Sequence, residues 1–291
     1  MNNMQDFSGK TIVVTGGASG VGLALCRRFG RAGMNVVVAD IEQKALDKAV
    51  SELASSGVTA IGVVADVTNA ESVENLAVKA YEQFSKVHIL CNNAGVGVKE
   101  ADRKIWNLSA KDWSWGYSVN VMGIANGIRA FVPRMLESGV EGHIVNTTSF
   151  NGGCIAFPTT PIYASSKAAV TSLTEVLYAQ LAKESKKLKV HLLFPGPHMV
   201  NTQILASQRN RQAEFQDDVK VEDYMTMEDL KKSALGANIE FKLTEPEEVA
   251  DACYDGICND KFWIRPYLED HQQMISARCD TLIKNLNPVV M

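Results

Sequence analysis

The chain has 291 residues, 46% of them hydrophobic and 21% charged, which suffices for one large globular unit with a substantial buried core. A formal net charge of -4 and a pI near 5.8 leave no broad basic field, so a nucleic-acid partner is not expected. The segment Met1 to Lys10 lacks the apolar centre of a secretory signal, and no stretch is apolar for long enough to span a bilayer, so the expectation is a cytoplasmic protein with no membrane partner.

From Thr11 to Phe194, β-branched runs of about five residues alternate with helical patterns roughly three times longer, the rhythm of βαβ units around a parallel sheet. The strands are predicted at Thr11 to Thr15, Asn35 to Ala39, Thr59 to Val64, Val87 to Asn92, His143 to Thr147 and Lys189 to Phe194. Runs such as Ile12-Val13-Val14 and Val36-Val37-Val38 are apolar throughout, as befits strands covered by helices on both faces. Gln43 to Ser55 and Ala70 to Phe84 carry apolar residues at helical spacing and are predicted as crossover helices. Two longer helices are expected near Asp112 to Glu137 and from Ile162 to Lys183. Pro197 to Gly236 is polar and weakly periodic, which suggests a mobile lid over a substrate, at about 197–236. Thr244-Glu-Pro-Glu247 reads as a capping box opening a helix toward Ile257. Phe262 to Ile264 suits an edge strand, and the tail at about 267–291 holds a helix from Leu268 to Leu286 with Met274, Ile275, Cys279, Leu282 and Leu286 on one apolar face. The expected architecture is a single α/β domain over residues 1–291, a doubly wound parallel sheet with helices on both faces.

Six cysteines, Cys26, Cys91, Cys154, Cys253, Cys258 and Cys279, show neither a CxxC pair nor the close Cys/His spacing of a structural zinc site, so reduced thiols and no metal are expected.

The first strand runs into Thr15-Gly16-Gly17-Ala18-Ser19-Gly20-Val21-Gly22 and then a helical pattern, the context that a glycine-rich phosphate turn requires. Glycines let the backbone approach a pyrophosphate closely, while the helix N-terminus offers unpaired N–H groups and a positive partial charge. Asp40 closes the second strand 18 residues after Gly22, where a carboxylate can accept hydrogen bonds from both adenosine ribose hydroxyls and repel a 2′-phosphate. With Ile41 beside it and no arginine or lysine in the glycine loop, NAD(H) is predicted over NADP(H); capping of the following helix is the competing role for Asp40. Asp66 and the run Asn92-Asn93-Ala94-Gly95 end the third and fourth strands, at the sheet edge where such folds bind ligands. Asx-turn chemistry is the structural alternative at these positions, and the preferred one for Asn92.

Tyr163 and Lys167 lie four residues apart in a helical pattern, hence on one helix face. A tyrosine with an ordinary pKa of about 10 is a weak base at neutral pH, and a neighbouring ammonium favours its phenolate.

With TGGASGVG, Asp66, NNAG, Asn120, Ser149, the YASSK segment and Pro195-Gly196 all in order, the sequence resembles the short-chain dehydrogenase/reductase family in its shorter, non-extended branch, from about Lys10 to Pro266. The resemblance implies a Rossmann-type domain and hydride exchange between NAD(H) and an alcohol or ketone. Tyr163 would move the proton of the substrate oxygen, Ser149 would hydrogen-bond that oxygen, Lys167 would lower the tyrosine pKa and hold the nicotinamide ribose, and Asn120 would bind a relay water. Gly16, Ser19, Gly20, Val21 and Gly22 would hold the pyrophosphate side of the cofactor. Asp40, Asp66, Val67 and Asn93 would take the adenosine side, and Tyr163, Lys167, Pro195, Gly196 and Thr202 the nicotinamide side. Thr148 stands as an alternative hydroxyl to Ser149, and Thr202 lies farther from Gly196 than the family spacing. Family members commonly pair their two long helices, which implies a homodimer or homotetramer.

Phe150 to Pro161, with Cys154, Ile155 and Phe157, together with His198 and Met199, would wall a mainly apolar pocket for a bulky aromatic or alicyclic substrate. The phrases Phe131-Val-Pro-Arg-Met135, Gly142-His-Ile-Val145 and Ile264-Arg-Pro-Tyr267 are also similar to bacterial Cα-dehydrogenases that oxidise benzylic alcohols of lignin-derived aryl ethers. Hydroxysteroid dehydrogenases share the same catalytic set and form the alternative. A non-catalytic NAD(H) sensor would not require a tuned acid, and epimerase or dehydratase relatives usually carry another glycine spacing.

Overall fold

The apolar runs become strands buried on both faces. In the computed structural model, which describes residues 4–101, 103–216, 226–236 and 241–288, β1 (Thr11–Thr15), β2 (Asn35–Asp40), β3 (Ala60–Val64), β4 (Ile89–Asn92), β5 (Gly142–Thr147) and β6 (Leu188–Leu193) pair in parallel. A small separate parallel pair is made by β7 (Met199–Val200) and β8 (Leu243–Thr244). The edge strand β9 (Trp263–Ile264) joins β6, giving the order β3-β2-β1-β4-β5-β6-β9.

Helices cover both faces. Val13 and Val37 point into one core with Leu76 of α3 (Ala70–Phe84), Trp115 of α4 (Ala110–Tyr117), Phe131 of α5 (Gly123–Ser138) and, beyond the irregular turn α6 (Phe150–Gly153), Leu177 of α7 (Pro161–Glu184). Their neighbours Ile12, Val14, Val36 and Val38 point the other way, onto Leu25 and Phe29 of α1 (Gly20–Arg31) and Leu46 of α2 (Gln43–Ser55). Beyond α8 (Met227–Gly236), α9 (Pro246–Cys258) packs on that second face through Val249, Cys253 and Ile257, and α10 (Glu269–Ile283) ends the described chain. Side-chain alternation along parallel strands thus builds two cores from one set of strands. β1 lies between β2 and β4, so the strand order reverses there and opens a crevice at the carboxyl ends, the binding position of open α/β sheets.

Several local expectations change. The long helix near Asp112 to Glu137 is continuous but passes through one wider π turn, Ser118–Met122, that contains Asn120. Helix α9 is capped one residue later than predicted: Glu245, not Thr244, is the N-cap and forms the box with Glu248, while Thr244 pairs with Val200 in β8 and its hydroxyl accepts from the His198 N–H. The apolar face of α10 covers no core; Leu282 is 74% exposed and no residue of the helix is buried. Of the predicted lid, 199–216 is packed against the sheet edge and Met227–Gly236 is a helix; 217–225 lie outside the described residues, as do 289–291 of the tail. Asn92 makes no Asx turn: it is 2% exposed and donates from Nδ2 to Asn146 Oδ1 on the adjacent strand.

Candidate active site

The glycine loop is shaped by close backbone approach. Gly16 has φ +62° and Gly20 φ +49°, left-handed conformations that other residues adopt at a cost. A Cβ on Gly16 would come within 2.9 Å of Ala94 Cα, and one on Gly22 would collide with the Gly16 carbonyl and lie 2.8 Å from Asn93 Nδ2. Asn93 fastens this loop to β4, donating from Nδ2 to the Thr15 and Gly16 carbonyls at 3.2 and 3.5 Å and accepting from Thr147 Oγ1. Ser19 is the N-cap of α1 and Val21 is buried in its first turn, so the helix end faces the crevice.

At the end of β2, Asp40 accepts from Ala18 N at 3.0 Å through Oδ2 and from Glu42 N at 3.1 Å through Oδ1. Burial raises its pKa, opposed by these backbone hydrogen bonds; the N-cap of α2 is Glu42 instead. Asp66 is engaged by protein on both oxygens: Oδ1 accepts from Thr68 N and Oγ1, and Oδ2 from Gln212 Nε2 at 2.9 Å. Val67 packs its side chain toward Gly123 and accepts on its carbonyl from Asn126 Nδ2.

The segment 202–212 lies across this edge. Thr202 rests on Gly20, its Cγ2 2.9 Å from where a Cβ there would sit, so the residue with doubtful spacing does reach the glycine loop. Ser207 Oγ accepts from Gly97 N at 3.2 Å, and Arg209 and Asn210 bond Glu42. Arg211 pairs at 2.7 Å with Asp112, which Arg103 also binds at 2.7 Å; the Asp112 carboxylate is 3% exposed. Asp112 stands below the usual carboxylate range because its burial is outweighed by the two guanidinium hydrogen bonds. None of these partners was legible in the sequence, where Arg211 and Asp112 stand 99 positions apart.

The catalytic candidates converge beside β5. Ser149 follows the strand as N-cap of α6, with its hydroxyl near enough to the Tyr163 phenol to oppose the rise of the tyrosine pKa. The alternative hydroxyl, Thr148, is buried and engaged by protein: it donates to the Lys167 carbonyl at 2.9 Å and meets Thr171 Oγ1 at 3.0 Å. Lys167, 3% exposed, donates from Nζ to the Thr147 carbonyl at 3.0 Å and lies 5.6 Å from the Tyr163 ring centre. Burial pulls its pKa down to about 8. Tyr163 moves against expectation. Burial raises its pKa, and the Ser149 hydroxyl only partly opposes this, so the protein groups alone keep the phenol protonated near neutral pH. Asn120 is fully buried; Oδ1 accepts from Val96 N at 2.8 Å, and Nδ2 donates to the Val96 carbonyl and Ser166 Oγ. Both amide protons are therefore taken by protein, which leaves a relay water only an acceptor on this side chain. Pro195 and Gly196 follow β6, with Gly196 against Pro266.

Glu100 did not stand out in the sequence. It is 1% exposed, and its carboxylate accepts from the Ile162 and Tyr163 N–H groups.

The arrangement fits a dinucleotide: glycines that no Cβ could replace without collision, an uncapped helix end, an acidic residue closing β2, and a phenol and an ammonium farther along the same edge. Among the described residues no cluster suits a metal ion and no helix is long and apolar enough to cross a membrane.

Residues 10–213 match the family model described as short chain dehydrogenase. A short-chain dehydrogenase/reductase from Burkholderia phymatum, solved in complex with NAD, superimposes with a TM-score of 0.87 at 35% identity, covering 99% of each chain. A C alpha-dehydrogenase of Sphingobium sp. strain SYK-6 is 33% identical over 282 residues, 94% of this chain and 87% of that one. A 3beta-hydroxysteroid dehydrogenase of Eggerthella lenta is 36% identical over 203 residues, 69% of this chain and 74% of its own.

Proposed function

The chain belongs to the short-chain dehydrogenase family and is an NAD(H)-dependent oxidoreductase of alcohols and ketones, and from that premise we propose that Tyr163, Ser149 and Lys167 carry the proton chemistry on a bulky, largely apolar aromatic or alicyclic substrate. The observation that carries this reading is the meeting of the Tyr163 phenol, the Ser149 hydroxyl and the Lys167 ammonium at the sheet edge that also bears the glycine loop.

Bound NAD(H) supplies or accepts the hydride. The glycine loop and the α1 N-terminus would hold the pyrophosphate, and Asp40 would accept the ribose hydroxyls, favouring NAD(H) over NADP(H). Segment 202–212, anchored by the Arg211–Asp112 pair, would help to retain the dinucleotide at this edge. In ketone reduction Ser149 donates a hydrogen bond to the substrate oxygen while Tyr163 gives its proton. Its raised pKa suits this direction, because the phenol is in the donating form. In alcohol oxidation the phenolate takes the proton, and the Lys167 ammonium beneath the ring favours that anion.

The substrate reading is supported by the partly exposed Phe150 and the exposed Phe157 on the segment that follows Ser149, whereas Ile155 is fully buried, and by the activities named for the C alpha-dehydrogenase and 3beta-hydroxysteroid dehydrogenase relatives. The second of these keeps a hydroxysteroid as the competing substrate. We further propose a homodimer or homotetramer built on α5 and α7, since Val176 and Tyr178 of α7 are 53% and 51% exposed, and a cytoplasmic location, in keeping with six free cysteines.

Following nicotinamide absorbance over a panel of aryl and steroidal ketones and secondary alcohols, with each cofactor in turn, tests the reading. Turnover with NAD(H) on at least one class is expected. No turnover on any member, or a preference for NADP(H), would contradict it.

A further inference from the structure

The helix that carries Tyr163 is capped from outside its own neighbourhood. An α-helix begins with N–H groups that have no intrahelical partner, and in α7 the residue placed to satisfy them is occupied elsewhere. Thr160 is the N-cap, yet its side chain makes no capping bond; Thr160 Oγ1 accepts instead from Asn151 Nδ2 at 2.7 Å. Pro161 has no N–H, and the Ala164 N–H returns to the Thr160 carbonyl at 2.8 Å. The two donors that remain, Ile162 and Tyr163, are both taken by Glu100, at 2.6 Å to Oε2 and 2.9 Å to Oε1.

Glu100 lies in the loop that leaves β4, and this loop meets the other catalytic candidates in turn. A Cβ on Gly95 would lie 3.5 Å from Lys167 Nζ and 3.4 Å from Asn120 Oδ1. Val96 exchanges both backbone hydrogen bonds with the Asn120 side chain, and Gly97 donates to Ser207 of the strap. One side chain therefore joins the cofactor-side loop to the backbone N–H of the tyrosine itself. A buried carboxylate at the positive end of a 24-residue helix is also favoured by the helix dipole. The charges around it are Arg103 and Asp112, and Asp112 is itself neutralised by Arg103 and Arg211.

We propose that Glu100 is a positioning residue, whose two-pronged hold on the Ile162 and Tyr163 N–H groups sets the phenol against Ser149 and ties it to the loop that contacts Lys167 and Asn120. This rests on Tyr163 as the proton-transfer group and adds a determinant of its placement. A displacement of about 1 Å at a reacting group can cost about a hundredfold in rate, so even a small release of the helix end is measurable.

Glu100→Gln tests this directly, because it keeps the shape and replaces one acceptor by an NH2 that cannot accept from an N–H. The expected result is a kcat lowered at least tenfold, with KM and the NADH dissociation constant (by fluorescence titration) within threefold of wild type. Hydrogen–deuterium exchange should quicken at the Ile162 and Tyr163 amides, a readout that needs no substrate and survives even if the oxidoreductase reading fails. Glu100→Asp, which keeps the charge on a shorter arm, should recover part of the lost kcat. An unchanged kcat with unchanged amide exchange would overturn the proposal. So would a parallel loss of kcat, cofactor affinity and thermal midpoint, since that marks a general structural support.

Discussion

Replacing Lys167 by methionine should abolish turnover yet stabilise the fold at neutral pH. The ammonium is 3% exposed, and burial lowers its pKa from 10.5 to about 8; at about 1.36 kcal/mol per pKa unit this is about 3 kcal/mol of disfavoured charge. The variant also loses the bond to the Thr147 carbonyl, and an unsatisfied buried acceptor costs about 1–3 kcal/mol, leaving a net gain of about 1 kcal/mol. For a protein of this size that raises Tm by about 2 °C. The pH dependence is sharper. The unfolded chain keeps this proton up to about 10.5 while the native chain releases it near 8, so between those values the unfolded state binds more protons and wild-type stability rises with pH. Methionine has no such dependence. The Tm difference, variant minus wild type, should therefore fall by about 6 °C from about pH 7 to about pH 10.5, as about 3 kcal/mol is recovered by the wild type alone. Scanning calorimetry of both proteins across that range is the assay. A difference that stays flat with pH would show that Lys167 is not a strained buried ammonium and would refute the argument.

Gly22→Ala should raise the NADH dissociation constant at least tenfold, since its Cβ would meet the Gly16 carbonyl and Asn93 Nδ2; calorimetric titration checks it. Asp40→Ser should shift the ratio of kcat/KM for NADH over NADPH down by at least tenfold, through lost ribose acceptors and relieved repulsion of the 2′-phosphate. Arg211→Met should speed NADH release severalfold in stopped flow, because it frees the strap from Asp112; Arg103 still pairs with that carboxylate, so Tm should fall by less than the cost of an orphaned buried charge, about 3–5 kcal/mol, implies. Because burial holds the Tyr163 phenol above its ordinary pKa, alcohol oxidation should climb with pH through the alkaline range while ketone reduction stays level until the phenol ionises. Initial rates in both directions decide this.

The strands were legible because parallel strands sandwiched by helices must be apolar on both faces, and Ile12-Val13-Val14 leaves no other reading. The glycine loop, Asp40 and the Tyr163/Lys167 pair were legible for a related reason: their chemistry depends on spacing within one βα turn or one helix turn. Contacts made across the sheet edge were hidden. Glu100 reaches Ile162 over 62 positions, and nothing local to a Val-Lys-Glu loop marks it as a helix cap. The same holds for Arg211 on Asp112 and for Gln212 on Asp66, which turned a stretch that reads as polar lid into a packed strap. At α9 the sequence pattern points to Thr244/Glu247, but Thr244 is drawn into β8 and bonds His198 N–H, and the box forms one residue on, at Glu245/Glu248. The tyrosine pKa shows the limit of spacing most clearly, since proximity to an ammonium predicts a fall, whereas burial, which sequence does not reveal, sets the direction.

Substitution of Tyr163 by phenylalanine removes the phenolic oxygen and keeps the ring. With NADH affinity measured by fluorescence and turnover by nicotinamide absorbance, the account predicts an unchanged dissociation constant and a turnover lowered by about a thousandfold or more, the upper range for a lost general acid. A variant that turns over at the wild-type rate would contradict it.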